Sequence, residues 1–197
     1  MSKRLFDWFS SLLGLLVLAP FLVVLAVWIK LDSAGPVFFR QERVGRAGKR
    51  FRIHKFRTMV TDAEKKGLQI TVGADARVTR VGHWLRKYKF DELPQLIDVW
   101  LGHMSLVGPR PEVPRYVACY PAEVRDLVLS VRPGITDKAS IEFKDENEIL
   151  GRAEDPHAAY LNEVLPIKLR YYVAYVRERS FFGDLYLIFR TIRALVR

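Results

Sequence analysis

Residues Trp8 to Ile29 carry no charged side chain, and this run of 22 residues holds a proline, Pro20, near its middle. So long an apolar run needs a protein interior or a bilayer around it. A hydrocarbon core of roughly 30 Å takes about 20 helical residues, so the run passes the length test for a transmembrane helix. Its proline removes one helical hydrogen bond and crowds the carbonyl of Leu16, which costs about 3 kcal/mol unless a bend is built in. Both flanks are basic: Lys3 and Arg4 precede the run, and Lys30, Arg40, Arg43, Arg46, Lys49, Arg50 and Arg52 follow it. Since basic flanks favour the cytoplasmic side, one straight span cannot satisfy both ends. Two readings stay open. In one, a signal anchor keeps its larger basic excess inside and pushes the short N-terminus out. In the other, a re-entrant helix turns near Ala19-Pro20 and leaves by the face it entered. The run exceeds the usual h-region and lacks a small-residue cleavage site after it, which argues against a cleaved signal peptide.

With residues 1–33 assigned to this membrane helix, 34–197 form one domain of ordinary size. Half of the chain is hydrophobic, so a real core is available. Residues 1–100 carry 18 basic and 9 acidic groups and residues 101–197 carry 14 and 13, so the net charge of +10 sits almost wholly on the anchor side. Such an excess draws anionic lipid at about 1 kcal/mol per Lys or Arg near the surface. It would also attract phosphorylated substrates or nucleic acid. The single Cys119 excludes an internal disulfide and fits a reducing compartment. His54, His83, His103 and His157 show no metal-ligand spacing, so no zinc site is assigned.

The expected fold class is α+β and mainly helical. VFFRQERV and KRFRIHKF, separated by GRAG, read as a short β-hairpin. Val81, Trp84, Leu85 and Tyr88 recur at helical spacing among basic residues, the pattern of an amphipathic helix on a membrane surface. A further helix is expected from Asp91 to before Gly102, with Pro94 in its first turn. SLVGPRPEVPR reads as a fixed loop, Pro121–Val131 as a helix, VRPGITD as a turn and ASIEF as a short strand. Ala158–Arg177, with Pro166 inside, and Phe181–Val196 read as helices. The last places Phe181, Leu185, Ile188, Phe189, Ile192 and Leu195 on one face and Arg190, Arg193 and Arg197 elsewhere, which suits the membrane interface.

Asp91-Glu92 is the only adjacent carboxylate pair in the first half, and it follows the basic stretch RKYKF. At a helix start, the pair can simply cap the helix. It can also do chemistry: one carboxylate attacks phosphorus while the two together hold a divalent cation. Candidate phosphate-binding cations are Lys55 and Arg57 in KFRTM, Arg110 between two prolines, and Arg132 before Pro133-Gly134. Guanidinium groups in rigid loops suit bidentate phosphate contacts.

Taken in order, LDSAGPVFFRQERVGR, KFRTM, DELPQL, MSLVGPRPE and RPGIT resemble the bacterial sugar transferase family, the monotopic phosphoglycosyl transferases, over almost the whole chain. The chain is similar to the small, minimal form. The resemblance implies transfer of a sugar 1-phosphate from a UDP-sugar to undecaprenyl phosphate with release of UMP, using Mg2+ and a phospho-aspartate intermediate. It implies Asp91 as nucleophile and Glu92 as its partner, both near the metal. Lys55, Arg110 and Arg132 match basic site positions, and Asp155 matches a further acidic one, with helix capping as its rival role. Pro20 matches the proline that breaks a re-entrant helix, though Ala19 stands where a serine often precedes it. Asp137-Lys138 stands where larger members often have Gly-Trp. The implied location is the cytoplasmic face of the bacterial inner membrane, in contact with phospholipid, with no nucleic acid partner and with room for a homodimer. The competing class is a non-enzymatic, membrane-anchored basic binding protein.

Overall fold

In a computed structural model, which describes residues 3–61, 63, 75–142 and 150–196, the apolar run forms one helix, α1 (Lys3–Asp32). It stays helical through Pro20, so the chain does not leave the helix there, and a turn of the run at Pro20 has to be a bend within one helix. A proline forfeits only one hydrogen bond, and the other turns of a 30-residue helix can absorb that loss. By length and composition α1 can cross a membrane, and it is the one helix among the described residues that can. Leu13, Leu16, Val17, Val23 and Val24 are between 62% and 68% exposed, leaving much of its apolar surface uncovered.

Both ends of α1 are nevertheless docked on the rest of the chain. At the start, Arg4 donates to the carbonyls of Val99 (2.6 Å) and Trp100 (3.0 Å), and Lys3 pairs with Asp184. Asp7, which is buried, accepts from the Ser105 hydroxyl at 2.7 Å. Toward the other end, Leu25 and Ile29 pack with Phe56, Val81 and Leu85. Beyond them the Asp32 carboxylate accepts from the Val81 amide at 3.2 Å.

The hairpin forms as expected. Strands β1 (Phe38–Phe39) and β2 (Glu42–Val44) pair antiparallel with β4 (Lys55–Phe56) and β3 (Arg50–Arg52), with Phe38 opposite Phe56 and Arg43 opposite Phe51. Helix α2 (Arg80–Lys87) follows, capped by the Thr79 side chain. The helix expected from Asp91 begins later: Phe90–Glu92 form a 3-10 turn, and α3 spans Gln95–Leu101. Lys89 in the left-handed region (φ 57°) redirects the chain before that turn.

Two segments expected as loop and turn instead form a parallel pair, β5 (Ser105–Val107) and β6 (Gly134–Thr136), with Ser105 opposite Gly134 and Val107 opposite Thr136. These strands are too short to carry a period-2 signal. The backbones of Gly108 and Gly134 meet so closely that a Cβ on Gly134 would lie 2.7 Å from Gly108 Cα. The strand expected at ASIEF is helix α6 (Lys138–Glu142), because the Asp137 carboxylate accepts from the Ser140 amide (2.9 Å) and hydroxyl (2.7 Å) as a helix cap does. Phe143, the last residue of ASIEF, lies outside the described residues.

Helices α4 (Pro114–Val117) and α5 (Ala122–Val128) complete the middle of the chain. The expected helix across Pro166 comes in three parts: α7 (Pro156–Ala159), a π-helical turn (Tyr160–Val164) and α8 (Leu165–Glu178). The widened turn puts Pro166 in the first turn of α8, where its missing N–H costs little. Val113, Tyr116, Tyr120, Val164, Leu169 and Tyr172 form the main core with these helices. Helix α9 (Phe181–Val196) leaves Phe182, Tyr186, Phe189 and Ile192 exposed; the side chain of Leu195 and the whole of Arg197 lie outside the described residues.

Gly82 fixes α2 against the end of the hairpin. A Cβ there would meet the Thr58 backbone, 2.8 Å from its carbonyl carbon, and backbone cannot swing away. Gly82→Ala should therefore lose about 1–3 kcal/mol from overpacking, even though alanine favours a helix by about 1 kcal/mol. Thermal unfolding in detergent measures it, and an unchanged or raised midpoint would show that α2 does not seat on Thr58 in this way.

Candidate active site

Asp91 and Glu92 sit on the 3-10 turn between α2 and α3, and three basic side chains converge on them from separate parts of the chain. Lys55, from β4, places its Nζ 2.7 Å from Asp91 Oδ2 and 3.3 Å from Glu92 Oε1. Arg110, held between Pro109 and Pro111, grips Glu92 with both terminal nitrogens, Nη1 to Oε2 at 3.0 Å and Nη2 to Oε1. Arg86 of α2 donates to the Thr58 hydroxyl at 2.8 Å and lies in the field of Asp91, whose negative charge favours its charged form.

Burial alone would raise the pKa of Glu92, but Arg110 and Lys55 outweigh it and hold the carboxyl well below its ordinary range. The same pairing lifts Arg110 well above the usual guanidinium value. Glu92 is thus a fixed anion. Asp91 is 2% exposed, and its Oδ1 has no hydrogen-bond partner. An unpartnered carboxylate oxygen inside a cationic cluster is suited to meet phosphorus or a cation. Among the described residues, no group of three or more His, Cys, Asp or Glu is placed to hold a metal. The two carboxylates nevertheless fit Mg2+, which commonly takes one or two and completes its shell with water and substrate phosphate.

The loop carrying Arg110 is pinned by the Gly134 amide donating to the Pro109 carbonyl at 2.9 Å. Behind it lies a buried polar layer. Glu112 accepts from the Tyr160 hydroxyl (2.7 Å) and Lys168 Nζ (3.4 Å), and Lys168 and Arg43 overcome its burial to keep its pKa low. On the other side, fully buried Asp98 of α3 accepts from the His54 amide and meets His54 Nδ1, both at 2.8 Å. This pair clamps the strand that delivers Lys55.

Four expected site residues therefore come together: Lys55, Asp91, Glu92 and Arg110. Three do not. Arg57 is 4% exposed and donates to the carbonyls of Ser33 (2.7 Å) and Ala34 just after α1, so its guanidinium serves as a helix cap rather than a phosphate ligand. Arg132 donates to the Gly102 carbonyl at 2.9 Å and lines a separate cavity. Asp155 caps α7, accepting from the amides of His157 and Ala158 at 2.9 and 3.0 Å, in an exposed position. Arg86, Asp98 and His54 were missed. Arg86 had a readable signal, since it lies four residues after Gly82 and so shares the helix face turned to Thr58.

Comparison with known proteins supplies the context. The model of the family described as "Bacterial sugar transferase" matches residues 1–197. The chain is 37% identical over 196 residues to the UDP-N-acetylgalactosamine-undecaprenyl-phosphate N-acetylgalactosaminephosphotransferase of Aeromonas hydrophila, covering 98% of this chain and 43% of that protein. It is 39% identical over 199 residues to the undecaprenyl-phosphate glucose phosphotransferase of Komagataeibacter xylinus, covering 98% and 35%. It is 35% identical over 196 residues to the UDP-glucose:undecaprenyl-phosphate glucose-1-phosphate transferase of Caulobacter vibrioides, covering 98% and 69%. The chain spans about half or less of the length of most of these curated relatives. The family match across every described element, together with identities above 30% across nearly the whole chain, shows that this protein belongs to the bacterial sugar transferase family.

Proposed function

We propose that this chain moves a sugar 1-phosphate from a UDP-sugar to undecaprenyl phosphate through a covalent intermediate on Asp91. The observation that carries the reading is the buried Asp91-Glu92 pair, ringed by Lys55, Arg86 and Arg110, with Asp91 Oδ1 unpartnered. An Asp91 oxygen attacks the sugar-bearing phosphorus, the bond from that phosphorus to the bridging oxygen breaks, and UMP leaves with the electron pair. No proton is required, because UMP departs as an anion. An oxygen of undecaprenyl phosphate then attacks the same phosphorus, the aspartyl oxygen–phosphorus bond breaks, and the carboxylate returns. Asp91 and Glu92 would hold Mg2+, which when bound supplies neutralisation of the phosphate oxygens. Lys55 orients Asp91, and Arg110 keeps Glu92 ionised.

The same reading seats the protein on the cytoplasmic face of the bacterial inner membrane, with α1 dipping into one leaflet. Support comes from its docked ends: Arg4 and Asp7 touch α3 and β5, and Leu25, Ile29 and Asp32 touch β4 and α2. A straight span would put one of these contact sets across the bilayer from its partner.

Asp91→Asn should lower UMP release from UDP-sugar and undecaprenyl phosphate by at least about a thousandfold. Full activity would remove the nucleophile and favour a binding protein in which only charge matters. The unmodified enzyme should exchange labelled UMP into UDP-sugar without acceptor, and absence of exchange would replace the intermediate with direct attack. In Arg110→Gln, burial pushes the Glu92 pKa upward with only Lys55 opposing it strongly. Glu92 then takes its proton at higher pH, so the acid limb of the kcat/KM profile should move up. An unmoved limb would separate Glu92 ionisation from activity. Finally, cysteine placed at Ser2 in spheroplasts should resist a membrane-impermeant maleimide until the membrane is opened, and labelling from outside would restore a simple span.

A further inference from the structure

A cavity of about 390 Å³, separate from the Asp91 cluster, lies where the start of α1, the hairpin turn, the loop before β6 and the α8–α9 junction meet. Lys3, Arg4, Arg46, Arg132 and Arg179 line it, against only two carboxylates, Asp7 and Asp184. Both acids are already engaged. Asp184 takes Lys3 and the Tyr175 hydroxyl (3.0 Å), and Asp7 takes Ser105. Arg4 and Arg132 spend donors on backbone carbonyls, whereas Arg46 and Arg179 make no side-chain hydrogen bond or ion pair among the described residues. The cations also crowd one another: burial, then Arg4 and Arg46, push the Arg132 pKa down. An anion in the cavity would relieve that repulsion.

The rim indicates what kind of anion. Phe181 lines the cavity and stacks edge-on against Phe6 at 5.3 Å. Close by in the chain, Phe182 is 80%, Phe9 53% and Leu5 43% exposed. A site that is cationic inside and apolar at its edge matches a charged headgroup joined to hydrocarbon, not a free ion.

We propose that this cavity binds the phosphate of an anionic membrane phospholipid, whose acyl chains lie along Leu5, Phe9 and Phe182. A bound headgroup would tie the start of α1 to the α8–α9 junction at the interface. The proposal rests on the membrane seating argued above, not on the chemistry at Asp91.

The test uses the full chain in neutral detergent, titrated calorimetrically with monomeric short-chain phosphatidylglycerol. The exposed pair Arg46→Gln/Arg179→Gln should weaken binding by about tenfold or more. Arg50→Gln/Arg115→Gln, which removes equal charge elsewhere on the surface, should change it by less than about twofold. Equal losses in both variants would mean diffuse attraction alone and overturn the site. Inorganic phosphate binding as tightly as the lipid would reassign the cavity to a free anion. A raised KM for undecaprenyl phosphate with unchanged phosphatidylglycerol binding would assign it to the lipid substrate; either result overturns the proposal. Vesicles of phosphatidylcholine with phosphatidylglycerol test the seating itself, since unmodified protein that failed to bind them would remove the seating, whereas failure with the soluble lipid alone removes only the cavity assignment.

Discussion

The carbonyls that follow α1 need partners, and Arg57 supplies them. A helix leaves its last carbonyls without intrahelical donors, and an apolar helix that contacts lipid cannot rely on water for all of them. Arg57 donates to Ser33 and Ala34 from just beyond β4, so hydrogen bonds tie the end of α1 to the strand that carries Lys55, two residues before Arg57. Lys55 in turn meets both site carboxylates. Where α1 sits therefore determines where Asp91 sits, through one strand and two basic side chains with different tasks.

That division of labour was invisible in KFRTM. Lys55 and Arg57 share a motif, a charge and a neighbourhood, and either could serve a phosphate. What separates them is the path of α1, a tertiary fact with no local signature. Similar reasoning covers Arg132 and Asp155, which kept their positions in recognisable motifs while their side chains went to a backbone carbonyl and a helix cap. Arg110, held by prolines on both sides, does reach the Asp91-Glu92 cluster, but its guanidinium grips Glu92, a partner the sequence reading did not name. The hairpin was legible from two eight-residue alternating runs flanking the GRAG turn, and α2 and α9 from their helical periodicity. The paired segments at Ser105 and Gly134 have three residues each, and there the decisive interaction is glycine against glycine. Asp7 escaped notice because a single acid ahead of an apolar run reads as a flank, although it is buried against β5.

The two site carboxylates have been given different amounts of compensation. Glu92 has a bidentate arginine and a lysine, more than enough to offset burial. Asp91 shares that lysine and lies in the field of Arg86, with one oxygen unpartnered. Full pairing stabilises an anion but lowers its reactivity, since each donor must be displaced before the oxygen can attack. The less-satisfied carboxylate of the pair is thus the better nucleophile, and the better-satisfied one the better fixed charge. This asymmetry supports the proposed division of roles between Asp91 and Glu92 without appeal to sequence position.

Charge placement follows the same logic on the scale of the whole chain. The net positive charge sits in the first hundred residues, while the second half is nearly balanced. A diffuse basic surface would bind anionic lipid in any orientation. Here the cations cluster at three depths around one helix: Lys3, Arg4 and Arg132 at its start, Arg57 at its end, and Lys55, Arg86 and Arg110 beside the carboxylates. The first set faces a cavity, the second is buried in backbone contacts and the third lies around the Asp91 and Glu92 carboxylates. Around that cavity Lys3, Arg4 and Arg132 spend donors on Asp184 and backbone carbonyls, and among the described residues Arg46 and Arg179 keep theirs. On the proposed seating, orientation on a lipid surface is set where α1 begins, which leaves the cations beside Asp91 and Glu92 for the phosphate chemistry proposed there.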